Sequence, residues 1–326
     1  MKELIVYPNA SRGGITSVIR GRAVHDPGAL FDVIFFNDKG GSDAFEDLPN
    51  VRASIIGRTR ADYAIKYLVR NFPYEVVSIL SSPETANFIA GFPKRLRYEF
   101  HTSNINVIIK ELQVLNLDTV DEITVPSQQM SMAVEPLLTQ EHKHKLQVLP
   151  NLVDKNVFRP DGPLDFYTKQ TTPAVGKVPL VWVGRFEEGK GFRQFLRALA
   201  ELPTEYFGIV VVSLEKGPER PTEFLMECAV NGVSDRVELY LNQPQTEIAK
   251  LYRWTKTRGG AAVSTSLLES FGYFVAEATA CGLPVVAFEL PVWKEQEHSQ
   301  LISSVPIGSV SSLVNNLKAQ TGCNSG

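Results

Sequence analysis

The chain has 326 residues, of which 44% are hydrophobic and 21% charged, with 33 Lys and Arg against 36 Asp and Glu. That length exceeds one ordinary compact core and suits two domains of roughly 150 residues each. The near-balanced charge, net −3, excludes a strong overall field and gives no reason to expect a nucleic-acid partner.

The chain opens MKELIVYPNASRGG. Its first apolar run is too short for a signal-peptide core, and no later run reaches the length of a membrane span, so a cytoplasmic location is expected. Short runs rich in Val, Ile and Phe then alternate with longer segments of helical period, the pattern of strands joined by crossover helices in a buried parallel sheet. Strands are predicted at ELIVYP, FDVIFF, VRASII, EVVSIL, RYEFHT, EITVPS and KLQVLP, and helices near residues 15–24, 61–71, 83–91 and 128–138. These make a first Rossmann-like domain over residues 1–160. Residues 159–179 hold four prolines and two glycines and lack an apolar period, which places a linker at 161–178. Strands at LVWVG, GIVVVS, RVELYL, AAVSTS and PVVAF follow, with helices near 191–202, 221–231, 245–256 and 273–281. They make a second Rossmann-like domain over residues 179–320. The tail TGCNSG is expected to be disordered.

Three cysteines, Cys228, Cys281 and Cys323, stand far apart without CxxC spacing and read as reduced thiols. The HKHK stretch at 142–145 reads as a solvated basic face rather than a metal site. No metal and no cofactor is expected.

Two segments of the second domain carry chemistry. In VWVGRFEEGKG, at 181–191, a buried strand ends at Gly184 and Arg185, and a short loop leads through Lys190 and Gly191 into a helix. Ligands of doubly wound sheets sit beyond the carboxyl ends of the strands. Arg185, Lys190 and the positive end of that helix therefore suit a diphosphate. Alone, the same residues also read as a strand-to-helix turn with two solvated cations. Downstream, STSLLESFGYFVAEATACGLPVVAF, at 264–288, sets Glu269 and Glu277 around Phe271 and Gly272. Glycine allows close backbone approach to a ligand. Two carboxylates at two levels can accept hydrogen bonds from the hydroxyls of a sugar and a ribose. Taken singly, each glutamate also reads as an ordinary charge near a helix N-terminus.

Together these two segments resemble the C-terminal domain of family 4 retaining glycosyltransferases. The first half resembles the same family at SRGGIT (11–16), YEFHTS (98–103), ITVPSQ (123–128) and VLPNLVDKNVFRP (148–160). The resemblance covers residues 1 to about 290 and implies an α/β fold of GT-B architecture, two Rossmann-like domains facing each other across a cleft. The first domain would lie on the acceptor side and the second on the donor side. It also implies that Arg185 and Lys190 grip the donor diphosphate, that Glu269 holds hydroxyls of the donor sugar, and that Glu277 holds the ribose. Amides of the Ser270, Phe271 and Gly272 turn would help bind sugar or phosphate. The Gly13-Gly14 turn would lie over the donor phosphate, and His101 beside the reacting carbon. Without the resemblance, a histidine after a strand reads as a structural residue. Asn151, Val153, Asp154 and Phe158 are read as architectural. The segment ELPVWKEQEHSQLISSVPIG departs from the family, which usually continues with a Gly-rich turn, an acidic residue and a long return helix.

The expected activity is metal-independent transfer of a hexose or N-acetylhexosamine, with retention, from a nucleotide-diphosphate sugar, UDP-sugar favoured, to an unidentified acceptor. That acceptor is a glycan, a lipid-linked molecule or a small molecule. A basic set, Arg58, Arg60, Lys66, Arg70, Lys94, Arg95 and Arg97, reads as a solvated face, with peripheral membrane contact as the alternative. Two competing readings are a nucleotide-sugar 2-epimerase and a catalytically degenerate sugar-nucleotide-binding protein. Turnover of donor in the presence of acceptor separates the transferase from the latter.

Overall fold

The computed structural model describes residues 1–168, 177–213 and 219–321, and the chain divides into two compact units, Met1–Asp154 and Lys155–Gly326. In the first, β1 (Lys2–Ala10), β2 (Leu30–Asp38), β3 (Val51–Ile55), β4 (Val76–Leu80), β5 (Leu96–Glu99), β6 (Glu122–Val125) and β7 (Leu146–Val148) form one sheet in the order β3-β2-β1-β4-β5-β6-β7. Every pair is parallel. The helices are α1 (Gly14–His25), α2 (Arg58–Asn71), α3 (Pro83–Ile89), α4 (Ile105–Val114) and α5 (Gln128–Val134). All seven strands fall on the predicted runs. Helix α4 was not legible, because Ile105, Val107, Ile108 and Ile109 crowd its start with β-branched residues and only Ile108 is buried.

Alternation along the strands splits the sheet into two unlike faces. Leu4, Val6, Val77, Ile79, Tyr98, Phe100, Ile123 and Val125 build one apolar core with α2 and its neighbours. Ile5, Val33 and Leu80 pack on the other side with Ile19 and Ala23 of α1. That second side also carries polar and charged residues among the apolar ones. Glu3 and Glu99 are buried there, and Arg22 of α1 reaches both, at 3.6 Å and 2.6 Å.

The second unit holds β8 (Val178–Gly184), β9 (Tyr206–Val212), β10 (Val237–Leu241), β11 (Ala261–Ser264), β12 (Val285–Phe288) and β13 (Ile302–Val305), in the order β10-β9-β8-β11-β12-β13. Its helices are α6 (Phe192–Glu201), α7 (Glu219–Val230), α8 (Gln245–Thr257), α9 (Tyr273–Ala280) and α10 (Val310–Gln320). Strand β13 and helix α10 lie beyond the elements read from the sequence. β13 has four residues, ISSV, too few and too polar to announce a strand. In α10, serines and asparagines dilute the apolar stripe, yet Leu313, Val314 and Leu317 enter the main core with Trp182, Leu196 and Phe288. Of the tail expected to be disordered, the residues after Thr321, including Cys323, lie outside the described residues, as do 169–176 of the expected linker.

Residues 155–168 belong to the second unit by packing. Arg253 of α8 donates to the carbonyls of Val157 (3.2 Å), Arg159 (3.3 Å) and Pro163 (3.0 Å). Phe158 packs on Tyr252, and Phe166 on Tyr240 and Trp254. Just before this stretch, Asp154 is buried and bonded to Arg20 of α1 at 2.9 Å. The backbone of Leu152 approaches Gly21 so closely that a Cβ there would overlap the Leu152 carbonyl.

Candidate functional site

Both sheets reverse their winding at a centre, β1 beside β4 in the first unit and β8 beside β11 in the second. At such a switch point the loops after the two central strands part, and the gap between them is where ligands of these sheets bind. The two motif segments of the second unit are those two loops.

The loop after β8 passes Arg185 and a 3₁₀ turn at Glu188–Lys190, then enters α6 through Gly191. Gly191 takes φ +66°, and a Cβ there would overlap the Thr265 carbonyl, so both conformation and space demand glycine. The two loops are stitched together at this point. The Thr265 hydroxyl, fully buried, receives the Trp182 indole N–H at 3.0 Å and faces the carbonyls of Gly191 (2.8 Å) and Lys190 (3.1 Å). The Leu267 amide donates to the Gly189 carbonyl at 2.8 Å.

This stitching brings Lys190 and Glu269 together. Their ammonium and carboxylate stand 2.6 Å apart, with side chains 24% and 13% exposed. Arg185 lies on the same loop and pairs with Glu187 at 3.3 Å, its side chain 46% exposed. Ser270 and Phe271 lead to Gly272, whose φ of +82° opens α9. The side of Gly272 that a Cβ would occupy is filled by the Trp293 ring. Trp293 is fixed by its own N–H to the Phe288 carbonyl at 2.7 Å, and Gln296 donates to the Phe271 carbonyl. Trp293 and Gln296, from the stretch ELPVWKEQEHSQLISSVPIG, thus buttress the glycine turn. Glu277 sits buried within α9.

In the first unit, Gly13 caps α1 with extended backbone, and Gly14 begins the helix, so the glycine pair stands at the switch point beyond β1. His101 follows β5 and is bonded through Nε2 to Glu99 at 2.8 Å. Glu99 also receives two hydrogen bonds from Arg22, at 2.9 Å and 2.6 Å. Burial would raise the Glu99 carboxyl, but Arg22 and His101 overcome it and hold the group well below its ordinary value. For Glu3 burial prevails over Arg22, and its carboxyl is raised. Thr265, Trp293, Gln296 and Glu99 were not singled out in the sequence. A readable signal existed for Thr265 alone, since a buried Trp in a strand needs an acceptor for its N–H.

Among the described residues no group of three or more His, Cys, Asp and Glu is placed to hold a metal ion. In HKHK, His144 is exposed and His142, Lys143 and Lys145 are half-buried; His142 bonds Asp118 at 2.9 Å, and Lys145 donates to carbonyls of Leu117 and Val120. Within the basic set, Arg95 and Arg97 pair with Glu122 at 3.1 Å and 2.8 Å. Cys228 and Cys281 are free and buried, with burial pushing their thiols up to about 11 and about 12, out of the reactive range. Among the described residues no helix is long and apolar enough to cross a membrane.

Two parallel doubly wound units in one chain define the GT-B fold, and solved structures share it across nearly the whole length. HepE of Anabaena, solved with UDP and glucose, superposes with a TM-score of 0.79 at 19% identity, covering 98% of this chain and 89% of that one. Sucrose-phosphate synthase of Thermosynechococcus elongatus superposes at 0.75 and 18% identity, with the same coverage. Residues 165–300 match the family model of glycosyl transferases group 1. A D-inositol 3-phosphate glycosyltransferase of Segniliparus rotundus is 34% identical over 146 residues, 44% of this chain and 31% of the relative. A probable sucrose-phosphate synthase of Thermosipho melanesiensis is 27% identical over 147 residues, 45% and 33%. The aligned part thus spans about a third of the length of these curated relatives.

Proposed function

We propose that this protein is a retaining glycosyltransferase that moves a hexose or N-acetylhexosamine from a nucleotide-diphosphate sugar to an acceptor hydroxyl. The observation that carries the reading is the Lys190–Glu269 pair, held at 2.6 Å at the switch point of the second sheet. UDP is the favoured nucleotide, a choice supported by HepE, whose structures hold UDP and UDP-glucose.

Breaking the bond from the anomeric carbon to the diphosphate gathers negative charge on the leaving phosphate and positive charge on the ring. In this reading Arg185, Lys190 and the N-terminus of α6 receive the leaving phosphate. Fixed donors of this kind contribute on the order of 3 kcal/mol each in a closed, dry site. The positive charge they supply is the reason to expect turnover without a divalent ion. Glu269 keeps Lys190 extended along the loop before the donor arrives and accepts from the sugar hydroxyls afterwards. Glu277 takes the ribose, and amides of Ser270, Phe271 and Gly272 complete the cradle. Gly13 and Gly14 lie over the donor phosphate and His101 beside the reacting carbon, as the family resemblance implies. Retention follows from attack on the face the phosphate leaves, with that phosphate helping to take the acceptor's proton.

A thermal-shift screen with UDP, GDP, ADP and their common sugar conjugates tests the reading. A ligand at a hundred times its Kd adds about 2.7 kcal/mol to the folded state. A shift with one nucleotide, abolished in Lys190→Ala, is the expected result. No shift with any of them would overturn the donor-site assignment.

A further inference from the structure

The buried charge in the first unit is more elaborate than a fold requires. One guanidinium and one carboxylate, Arg22 and Glu99, already satisfy each other with two hydrogen bonds. Yet Glu99 Oε2 accepts from His101 Nε2 as well as from Arg22. The surroundings of Glu99 are equally fixed. Glu3 lies on the same guanidinium at 3.6 Å and is held by the Ser78 hydroxyl at 2.6 Å, and Arg97 approaches Glu3 at 3.5 Å while bonded to Glu122 at 2.8 Å. Strands β1, β4, β5 and β6 each supply a member, and α1 closes the cluster from above. The charge is rigid because four strands of the sheet hold it.

An ionised carboxylate only accepts hydrogen bonds. The ring nitrogen that faces Glu99 must therefore carry a hydrogen, and for a neutral imidazole that choice leaves Nδ1 as the lone-pair nitrogen. We infer that Glu99, clamped by Arg22, is a positioning residue that fixes His101 as the Nε2–H tautomer, so that His101 meets a hydroxyl of the donor sugar as an acceptor through Nδ1. The inference rests on the proposed transferase reading for what His101 meets, but the tautomer itself rests on the geometry alone. The arrangement also sets the sign of the effect. A hydrogen-bonded anion behind the ring makes Nδ1 a better acceptor, suited to holding a sugar hydroxyl.

Nitrogen-15 spectra of the histidine-labelled protein test this without substrate. The chain has five histidines, and His101→Gln identifies the resonances of the one in question. The expected spectrum of the neutral ring shows His101 with its hydrogen on Nε2, and Glu99→Gln, whose amide can face the ring with either atom, shifts it toward a mixture of tautomers. A hydrogen on Nδ1 in the unaltered protein would overturn the inference, and so would an unchanged tautomer in Glu99→Gln. The spectrum of the unaltered protein decides the matter even where the variant does not fold. In donor turnover, Glu99→Gln should lower kcat about tenfold or more while leaving nucleotide affinity unchanged. Lost nucleotide affinity with unchanged kcat would reject the positioning role. An unaltered protein that turns over no nucleotide sugar would count against the transferase reading and leave the tautomer result standing.

Discussion

Gly189 and Gly191 lie two residues apart in the loop after β8, and the structure assigns them opposite sensitivities. A Cβ at Gly189 meets no atom within 4 Å, whereas at Gly191 it overlaps the Thr265 carbonyl and comes to 3.2 Å from Gln194. Gly191 also has φ +66°, which a residue with a side chain adopts at a cost of about 1–2 kcal/mol. Relief of the overlap forces a backbone shift costing typically about 1–3 kcal/mol more. Gly191→Ala should therefore lose about 2–5 kcal/mol, a fall in Tm of roughly 5–15 °C for a unit of this size, while Gly189→Ala stays close to wild type. The overlapped carbonyl belongs to Thr265, whose hydroxyl joins the two ligand loops, so Gly191→Ala should also weaken nucleotide binding beyond its effect on stability. Thermal unfolding and nucleotide titration of both variants check this. Equal Tm values for the two would refute the argument that the loops are locked at Gly191.

Lys190→Ala and Glu269→Ala should each cut transfer by roughly a hundredfold or more, measured as release of nucleotide diphosphate in the presence of acceptor, and incubation with EDTA should leave the wild-type rate unchanged. Asp154→Ala strips a partner from the buried Arg20 guanidinium and should destabilise the first unit by about 3 kcal/mol, read by denaturant unfolding. Glu3→Gln has a pH-dependent sign. Because burial raises the Glu3 carboxyl above its ordinary 4.5, its contribution to stability is present below the unfolded pKa and is lost as pH rises through the folded one. Glu3→Gln should gain on wild type as pH climbs out of the carboxylate range toward neutrality, and a constant difference across that range would contradict it.

The strand runs were legible because a parallel sheet covered on both faces needs near-continuous apolar residues, and every such run through β12 is a strand. What the runs concealed was the polar rung inside them. ELIVYP, RYEFHT and EITVPS each hold a glutamate that a hydrophobic reading passes over, and those glutamates, Glu3, Glu99 and Glu122, are the ones α1 and Arg97 neutralise. The loops after β8 and β11 could be named from their glycines, cations and glutamates. That Lys190 and Glu269 touch could not, since their contact depends on Thr265 and Trp182 drawing together loops from non-consecutive strands. Trp293 and Gln296 were out of reach for another reason: they act from a segment that carries no motif of glycines or charges, and only their contacts with Gly272 and Phe271 reveal what they support.

The two buried arginines that hold the chain on either side of residue 155 have a mechanical consequence. Arg20 anchors the backbone up to Asp154 on the first unit, and Arg253 anchors it from Val157 on the second. Lys155 and Asn156 are the only residues between those two clasps, and they offer four soft dihedrals. Even within that dipeptide Lys155 reaches Glu297 at 3.5 Å, so the chain passes from the packing of the first unit to that of the second within two residues. A residue inserted there would fall between the two clasps and within neither.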